Sequence, residues 1–309
     1  MKISIVIPVY GCRAALPELH RRLCESLTQI TASFEIILVD DCCPQNSWAS
    51  IQELCSKDKR VVGIHLSRNF GQIRAITAGL DCSSGDWVVV MDCDLQDRPE
   101  SIIELYQKSQ EGYDVVFARR QGRKDSLITK FLSKCFYKVY DYFTDGTFDS
   151  CICNFSISKR SVIDSYCRMR EQNRAFTMFI RWLGFRQTAI DLEADIRYEG
   201  ASSYNMRRKL NMAFEIITSQ SNKPLLFSVK AGFAIALFAL LYIIYLVLCV
   251  IFKGDVLSGW TSTVASIYLM GGILLCAIGI LGIYIGNIFN EAKGRPLYVI
   301  AECLNKEES

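Results

Sequence analysis

The chain has 309 residues, enough for one large domain or two modest ones, and half of them are hydrophobic, more than a wholly water-soluble protein needs. A formal charge of +3 with no long Lys/Arg run excludes a nucleic-acid binder that works through charge, so no nucleic-acid partner is expected. Fourteen cysteines without a C-x-x-C pair, and with no signal sequence ahead of them, exclude a small disulfide scaffold and are expected to be reduced; His20 and His65 have no Cys/His spacing that would build a structural zinc site.

The opening "KISIVIPVYG" is too short an apolar run for a signal sequence, and its β-branched residues predict a strand over 3–9. The pattern then alternates: a helix from about 14, strand 35–40, helix 47–57, strand 61–66, helix 71–81, strand 86–92, helix 99–111 and strand 114–118. Strands alternating with amphipathic helices imply an α/β protein with a mostly parallel sheet and helices on both faces, which binds ligands at the carboxyl ends of its strands. Three polar clusters fall at those ends: "PVYGCR", "VDDCCPQNS" and "DCDLQD".

Beyond residue 119 the chain is basic and aromatic through 142, and the signals from 155 to about 200 are mixed. "NMRRKLNMAFEIITSQ" reads as an amphipathic helix, with Arg207, Arg208 and Lys209 on its flank, suited to a membrane surface or to docking in a core. Residues 231–252 carry no charge, and neither does the run from 256 to 290, whose apolar part is 264–289. At about 1.5 Å rise per residue each crosses a hydrocarbon layer of about 30 Å, so two transmembrane helices are predicted. Basic residues before the first span, against Lys253 alone in the loop between spans, put the N-terminal domain in the cytoplasm, and Trp260 suits an interfacial anchor. Gly282 and Gly286 form a G-x-x-x-G that could pack helices or protomers closely.

The expected organisation is a catalytic domain over 1–204, a juxtamembrane amphipathic helix over 205–227, two spans within 228–290 and a cytoplasmic tail over 291–309. In "VVVMDCDLQD", Asp92 and Asp94 are two apart and Gln96 continues the parity, so strand geometry would turn all three to one side as hard oxygen ligands for Mg²⁺ or Mn²⁺. Asp40 and Asp41 end the second strand, where a carboxylate can accept from a ribose or base, or can cap the helix near Ser47. No G-x-G-x-x-G or Walker loop follows the first strand, which argues against a dinucleotide enzyme or an NTPase.

The segments "VIPVYG", "LVDD", "LSRNFGQIRAITAGLDCSSGDWVVVMDCDLQDRPE" and "LGIYIGNIFNEAKGRPLY" together resemble the family 2 glycosyltransferases of GT-A, Rossmann-like fold that charge a polyprenyl phosphate, such as bactoprenol glucosyltransferases and dolichyl-phosphate mannose synthases. The resemblance covers nearly the whole chain and is nearest the bacterial type with two C-terminal spans. It implies that Pro8, Tyr10, Asp40, Asp41 and Asp92 surround the nucleotide. Asp92, Asp94 and Gln96 would hold the metal and diphosphate, with Asp94, Arg119 and Arg197 central to catalysis. Arg119, Ser133, Lys134, Arg197 and Ser202 would receive the acceptor phosphate. The implied activity is inverting transfer from a nucleotide sugar to undecaprenyl phosphate at the cytoplasmic face of a bacterial inner membrane, by a multi-pass homo-oligomer.

Three departures stand out. Gly11, Cys12 and Arg13 replace the family's N-E-E; Asn154, Phe155 and Ser156 replace its D-F-R; and Ser203 replaces a lysine. A family 2 enzyme acting on another lipid-linked acceptor and an inactive GT-A scaffold are the alternatives these departures leave open.

Overall fold

The computed structural model describes residues 1–120, 152–192, 218, 221–253 and 259–306. Among them, 1–120, 152–192 and 295–306 form one unit, and 218, 221–253 and 259–294 a second.

The first unit opens with β1 (Ile3–Val9), α1 (Leu16–Leu27), β2 (Phe34–Asp40), α2 (Ser47–Lys57), β3 (Val61–Leu66), α3 (Gln72–Cys82) and β4 (Trp87–Val90). It continues through α4 (Ser101–Ser109), β5 (Val115–Arg120), β6 (Ile152–Lys159), α5 (Arg160–Arg168), α6 (Phe176–Trp182) and β7 (Gln187–Leu192), and closes with β8 (Ile300–Leu304). The strands form one sheet in the order β7-β5-β6-β4-β1-β2-β3-β8. β4, β1, β2 and β3 run parallel, as do β5 and β7; β6 is antiparallel to both β4 and β5, and β8 is antiparallel to β3.

Burial on both faces explains the unbroken apolar runs of β1 and β2, every residue of which is buried. Ile3, Ile5 and Ile7 alternate onto one face, where they meet Leu16, Leu19, Leu23 and Leu27 of α1, Ile51 of α2 and Ile102 of α4. α3 covers the other face, and a methyl group on its Gly79 would overlap the Val6 side chain, so only glycine allows this approach.

At the amino ends of the strands Glu35 is nearly buried and stitches three segments together. It accepts from Ser4 Oγ at 2.6 Å, Ser84 N at 2.8 Å and Lys2 Nζ at 2.7 Å. Burial acts to raise its carboxyl, but the hydrogen bonds from Lys2, Ser4 and Ser84 outweigh it, leaving the pKa below the ordinary 4.5. A group lowered on folding stabilises above its unfolded pKa and loses that contribution as pH falls through the folded value. Glu35→Ala should therefore cost about 2–3 kcal/mol, roughly 4–12 °C in thermal midpoint, at pH 7. The deficit should shrink in melts recorded progressively below pH 4.5, where the wild type loses the same contribution.

The second unit is a helical hairpin, α7 (Lys223–Lys253) and α8 (Trp260–Ala292). Tyr284 Oη of α8 donates to Ser221 O at 2.6 Å and Asn287 Nδ2 to Thr218 O at 3.2 Å, closing it antiparallel. Both helices, 31 and 33 residues long, exceed what a hydrocarbon layer of about 30 Å requires. Their apolar stretches are wholly unburied, with Phe233 75 % and Tyr268 77 % exposed, a state that water would penalise and lipid would not. The hairpin is a membrane-associated element. Among the described residues, a Cβ at Gly282 or Gly286 would meet no atom within 4 Å.

Two boundaries differ from the sequence expectation. Residues 223–227 belong to α7 rather than to a separate juxtamembrane helix, whose remainder lies outside the described residues apart from Thr218, Ser221 and Asn222. The tail is not a free extension: β8 pairs with β3, and Trp48 Nε1 donates to Glu302 at 3.1 Å.

Candidate active site

Chain order sets where a ligand can enter. From β1 the chain proceeds outward through β2 and β3, then returns to place β4 on the other side of β1, so the strand order reverses between β1 and β4. Crossovers leave on opposite faces at such a point and a crevice opens beyond the carboxyl ends of the two strands. Pro8 reinforces the parting, because β4 pairs with β1 only as far as Val6–Val90 and proline has no N–H to continue a ladder.

The acidic motif begins where β4 ends. The strand stops at Val90, two residues earlier than its sequence suggests, yet alternation persists: Asp92, Asp94 and Gln96 are half-buried while Cys93, Leu95 and Asp97 are buried between them. Three oxygen-bearing side chains are thus turned away from the core together, as expected from their spacing, although a turn rather than a strand does it. Gln96 N donates to Asp94 Oδ1 at 3.1 Å, an Asx-type turn, and Leu95 has a positive φ of 59°. That conformation costs a bulky residue about 1–3 kcal/mol and is tolerated where a loop is held from several sides.

Three ties hold it. Cys93 is joined to Cys12 in a disulfide with Cα atoms 6.1 Å apart, because the residues following neighbouring parallel strands come side by side; this corrects the expectation that all cysteines are reduced. Cys43, after β2, accepts from Gly11 N at 3.1 Å, fastening the β1 loop to the β2 loop. Gln72 Nε2, at the start of α3, donates to Asp92 Oδ1 at 2.7 Å.

The expected nucleotide residues divide by exposure. Tyr10 is 53 % exposed beyond β1, its ring open to solvent, whereas Pro8 is buried within the strand. Asp40 and Asp41 are 1 % and 3 % exposed, and each carboxylate oxygen already accepts from the protein. Asp40 receives Cys43 N at 3.3 Å and shares a 2.8 Å hydrogen bond with His65 Nδ1, whose ring stacks on Trp48. Asp41 receives Phe70 N at 2.7 Å and Gly71 N at 2.9 Å. Burial pushes both carboxyls above the ordinary value, with these hydrogen bonds pulling back. In this structure both carboxylates of the pair anchor loops.

Arg119, the penultimate residue of β5, lies toward the same edge of the sheet, 3.8 Å from Asp191 of β7. Asn154 lies on β6 two residues past the last pair with β4, Val90–Ser156, beside the motif. Ser133, Lys134, Arg197 and Ser202 lie outside the described residues. Sequence reasoning missed Gln72 and His65. The only signal for Gln72 was its place directly after glycine at a helix start, and its partner lies twenty residues away.

Two carboxylates and an amide on one side of a strand end make a hard oxygen donor set suited to Mg²⁺ or Mn²⁺. His20, Cys24 and Asp58 also gather, but at the amino end of β3. There Arg60 Nε and Nη2 donate to Asp58 at 3.0 and 2.8 Å, and Nη2 to Cys24 Sγ at 3.7 Å, so a guanidinium takes the place a cation would need.

A mostly parallel sheet carrying an acidic turn at its switch point defines a nucleotide-type α/β fold. The chain belongs to glycosyl transferase family 2, whose model matches residues 4–167, and it is a glycosyltransferase. It is 36 % identical to an uncharacterized glycosyltransferase, YkcC, of Bacillus subtilis over 97 % of this chain and 93 % of that one. It is 32 % identical to the bactoprenol glucosyl transferase of Shigella phage SfII, over 97 % of each chain. It is likewise 32 % identical to the undecaprenyl-phosphate 4-deoxy-4-formamido-L-arabinose transferase of Proteus mirabilis, over 97 % of this chain and 93 % of that one. Among solved structures, glucosyl-3-phosphoglycerate synthase of Mycobacterium tuberculosis, with Mn²⁺, UDP and phosphoglyceric acid, shares the fold at 17 % identity and a TM-score of 0.50, over 70 % of this chain and 76 % of that one.

The anchoring role of Asp41 has a direct consequence. Asp41→Ala strands two backbone donors, at about 1–3 kcal/mol each, and should speed amide exchange at residues 70–72 by at least tenfold while leaving β1 and β2 protected.

Proposed function

We propose that the protein transfers a sugar from a nucleotide sugar to a polyprenyl phosphate, undecaprenyl phosphate in a bacterial inner membrane, with inversion at the anomeric carbon. The observation that carries this reading is one chain joining an oxygen-donor turn at a sheet switch point to two apolar helices long enough to cross a bilayer. The printed names of the bactoprenol and undecaprenyl-phosphate relatives support the acceptor. Connectivity supports the topology: the chain leaves the sheet before α7 and returns to it as β8, so its crossings are even in number and both ends lie on one side. Basic residues ahead of α7 make that side the cytoplasm.

Roles follow from position. Tyr10 offers its exposed ring to the base or ribose, and Pro8 forms the wall beneath it. Asp92, Asp94 and Gln96 would hold Mg²⁺ or Mn²⁺, which when bound neutralises the diphosphate of the donor. Arg119, with Ser133, Lys134, Arg197 and Ser202, receives the acceptor phosphate, arginine's planar fork matching its oxygens. Asp40 and Asp41 act by holding the loops around the nucleotide.

No carboxylate base is required. A phosphate monoester with a second pKa of about 6 is largely dianionic at neutral pH, so Asn154 can stand where relatives of this type carry an acid. What remains for the protein is to align the lipid phosphate behind the anomeric carbon and to steady the leaving group. In-line displacement then inverts the sugar.

The test is purified full-length protein in bilayer discs with undecaprenyl phosphate, Mg²⁺ or Mn²⁺ and a panel of nucleotide sugars, the lipid product being read by mass. A hexosyl-lipid phosphate made from one donor is the expected result, with Asp94→Asn lowering turnover about 10²–10³-fold. Product only on a different lipid acceptor, or full turnover in Asp94→Asn, would overturn the reading.

A further inference from the structure

We propose that Gln72 is a positioning residue for the acidic motif, restraining Asp92 with a neutral hydrogen bond so that it meets a divalent cation preoriented. The proposal rests on the reading of Asp92 and Asp94 as cation ligands. Asp92 lies two residues past the last residue of β4, and its Oδ1 accepts from Gln72 Nε2 at 2.7 Å. A carboxylate left to rotate would have to be ordered when the ion arrives; one already held meets the ion with less entropy to lose.

The donor's charge matters as much as its reach. A lysine or arginine at this place would hold the carboxylate equally well but would set a positive charge beside the incoming cation. An amide fixes the oxygen without adding a positive charge of its own.

The platform beneath Gln72 is rigid. It is the first residue of α3, whose Ala75, Ile76, Ala78 and Gly79 are buried against the sheet. The residue before it, Gly71, adopts φ 94° and ψ 154°, a conformation open in practice only to glycine. Its N–H and that of Phe70 are both clamped by the buried Asp41 carboxylate. A connected path therefore runs from Asp41 through the Phe70–Gly71 backbone and the Gln72 amide to Asp92, giving Asp41 an indirect hold on the motif.

The experiment uses the full chain with Gln72→Met, which keeps the length and loses the donor, alongside Asp92→Asn and the double variant. Mn²⁺ binding in the presence of UDP is read from the loss of the free-ion paramagnetic resonance signal. Gln72→Met should weaken Mn²⁺ about tenfold. Its melting temperature should not change, since Gln72 is exposed. In the Asp92→Asn background the same change should have no further effect, because Gln72 acts through Asp92. Wild-type Mn²⁺ affinity in Gln72→Met, with affinity lost in Asp92→Asn, would overturn the positioning role alone. Unchanged affinity in both would overturn it together with the assignment of the motif as the cation site.

Discussion

Like charge gathered at the carboxyl ends of the two parallel strands that flank β1 is the constraint from which the site follows. β2 delivers Asp40 and Asp41, and β4 delivers Asp92, Asp94 and Asp97, to the same edge of one sheet. Buried or half-buried carboxylates stay ionised only where something positive or hydrogen-bonding answers them. The molecule uses two answers. At Asp40 and Asp41 it supplies backbone N–H groups and His65 and buries the result. At Asp92 and Asp94 it supplies the Gln72 amide and the Gln96 N–H and leaves both residues half-buried in a turn, the kind of oxygen set that suits the proposed hard cation.

The same edge shows how loops that end separate strands become one object. The Cys12–Cys93 disulfide, the Gly11–Cys43 hydrogen bond and the Asp41–Gly71, Gln72–Asp92 path link the β1, β2, β3 and β4 loops to one another. Such mutual restraint lets Leu95 persist at positive φ within the motif. It also distributes preorganisation over residues with no direct part in the chemistry.

Much of this was legible in the sequence because its signals are local. The unbroken apolar runs of β1 and β2 and the Leu16, Leu19, Leu23, Leu27 stripe of α1 carry their periods on their face, and the two uncharged runs announce α7 and α8. The parity of Asp92, Asp94 and Gln96 was readable too. What stayed hidden depends on distant partners. β8 is a short exposed strand whose meaning lies in pairing with β3, far back in the chain. "ICNFSISK" reads poorly as a strand because its polar Ser156 and Ser158 break the apolar pattern, yet pairing between β4 and β5 buries both. Asp41 reads as a ligand-facing carboxylate until the N–H groups of Phe70 and Gly71, 29 and 30 residues on, are seen to claim it.

The central claim, a divalent cation held by Asp92, Asp94 and Gln96 at the switch point, is tested most directly by anomalous scattering from crystals of the full chain grown with Mn²⁺ and UDP. The account predicts one manganese peak at about 2.0–2.3 Å from carboxylate oxygens of Asp92 and Asp94, with diphosphate oxygens completing its shell. A peak at His20, Cys24 and Asp58 instead, or UDP seated with no ion near the acidic turn, would contradict it.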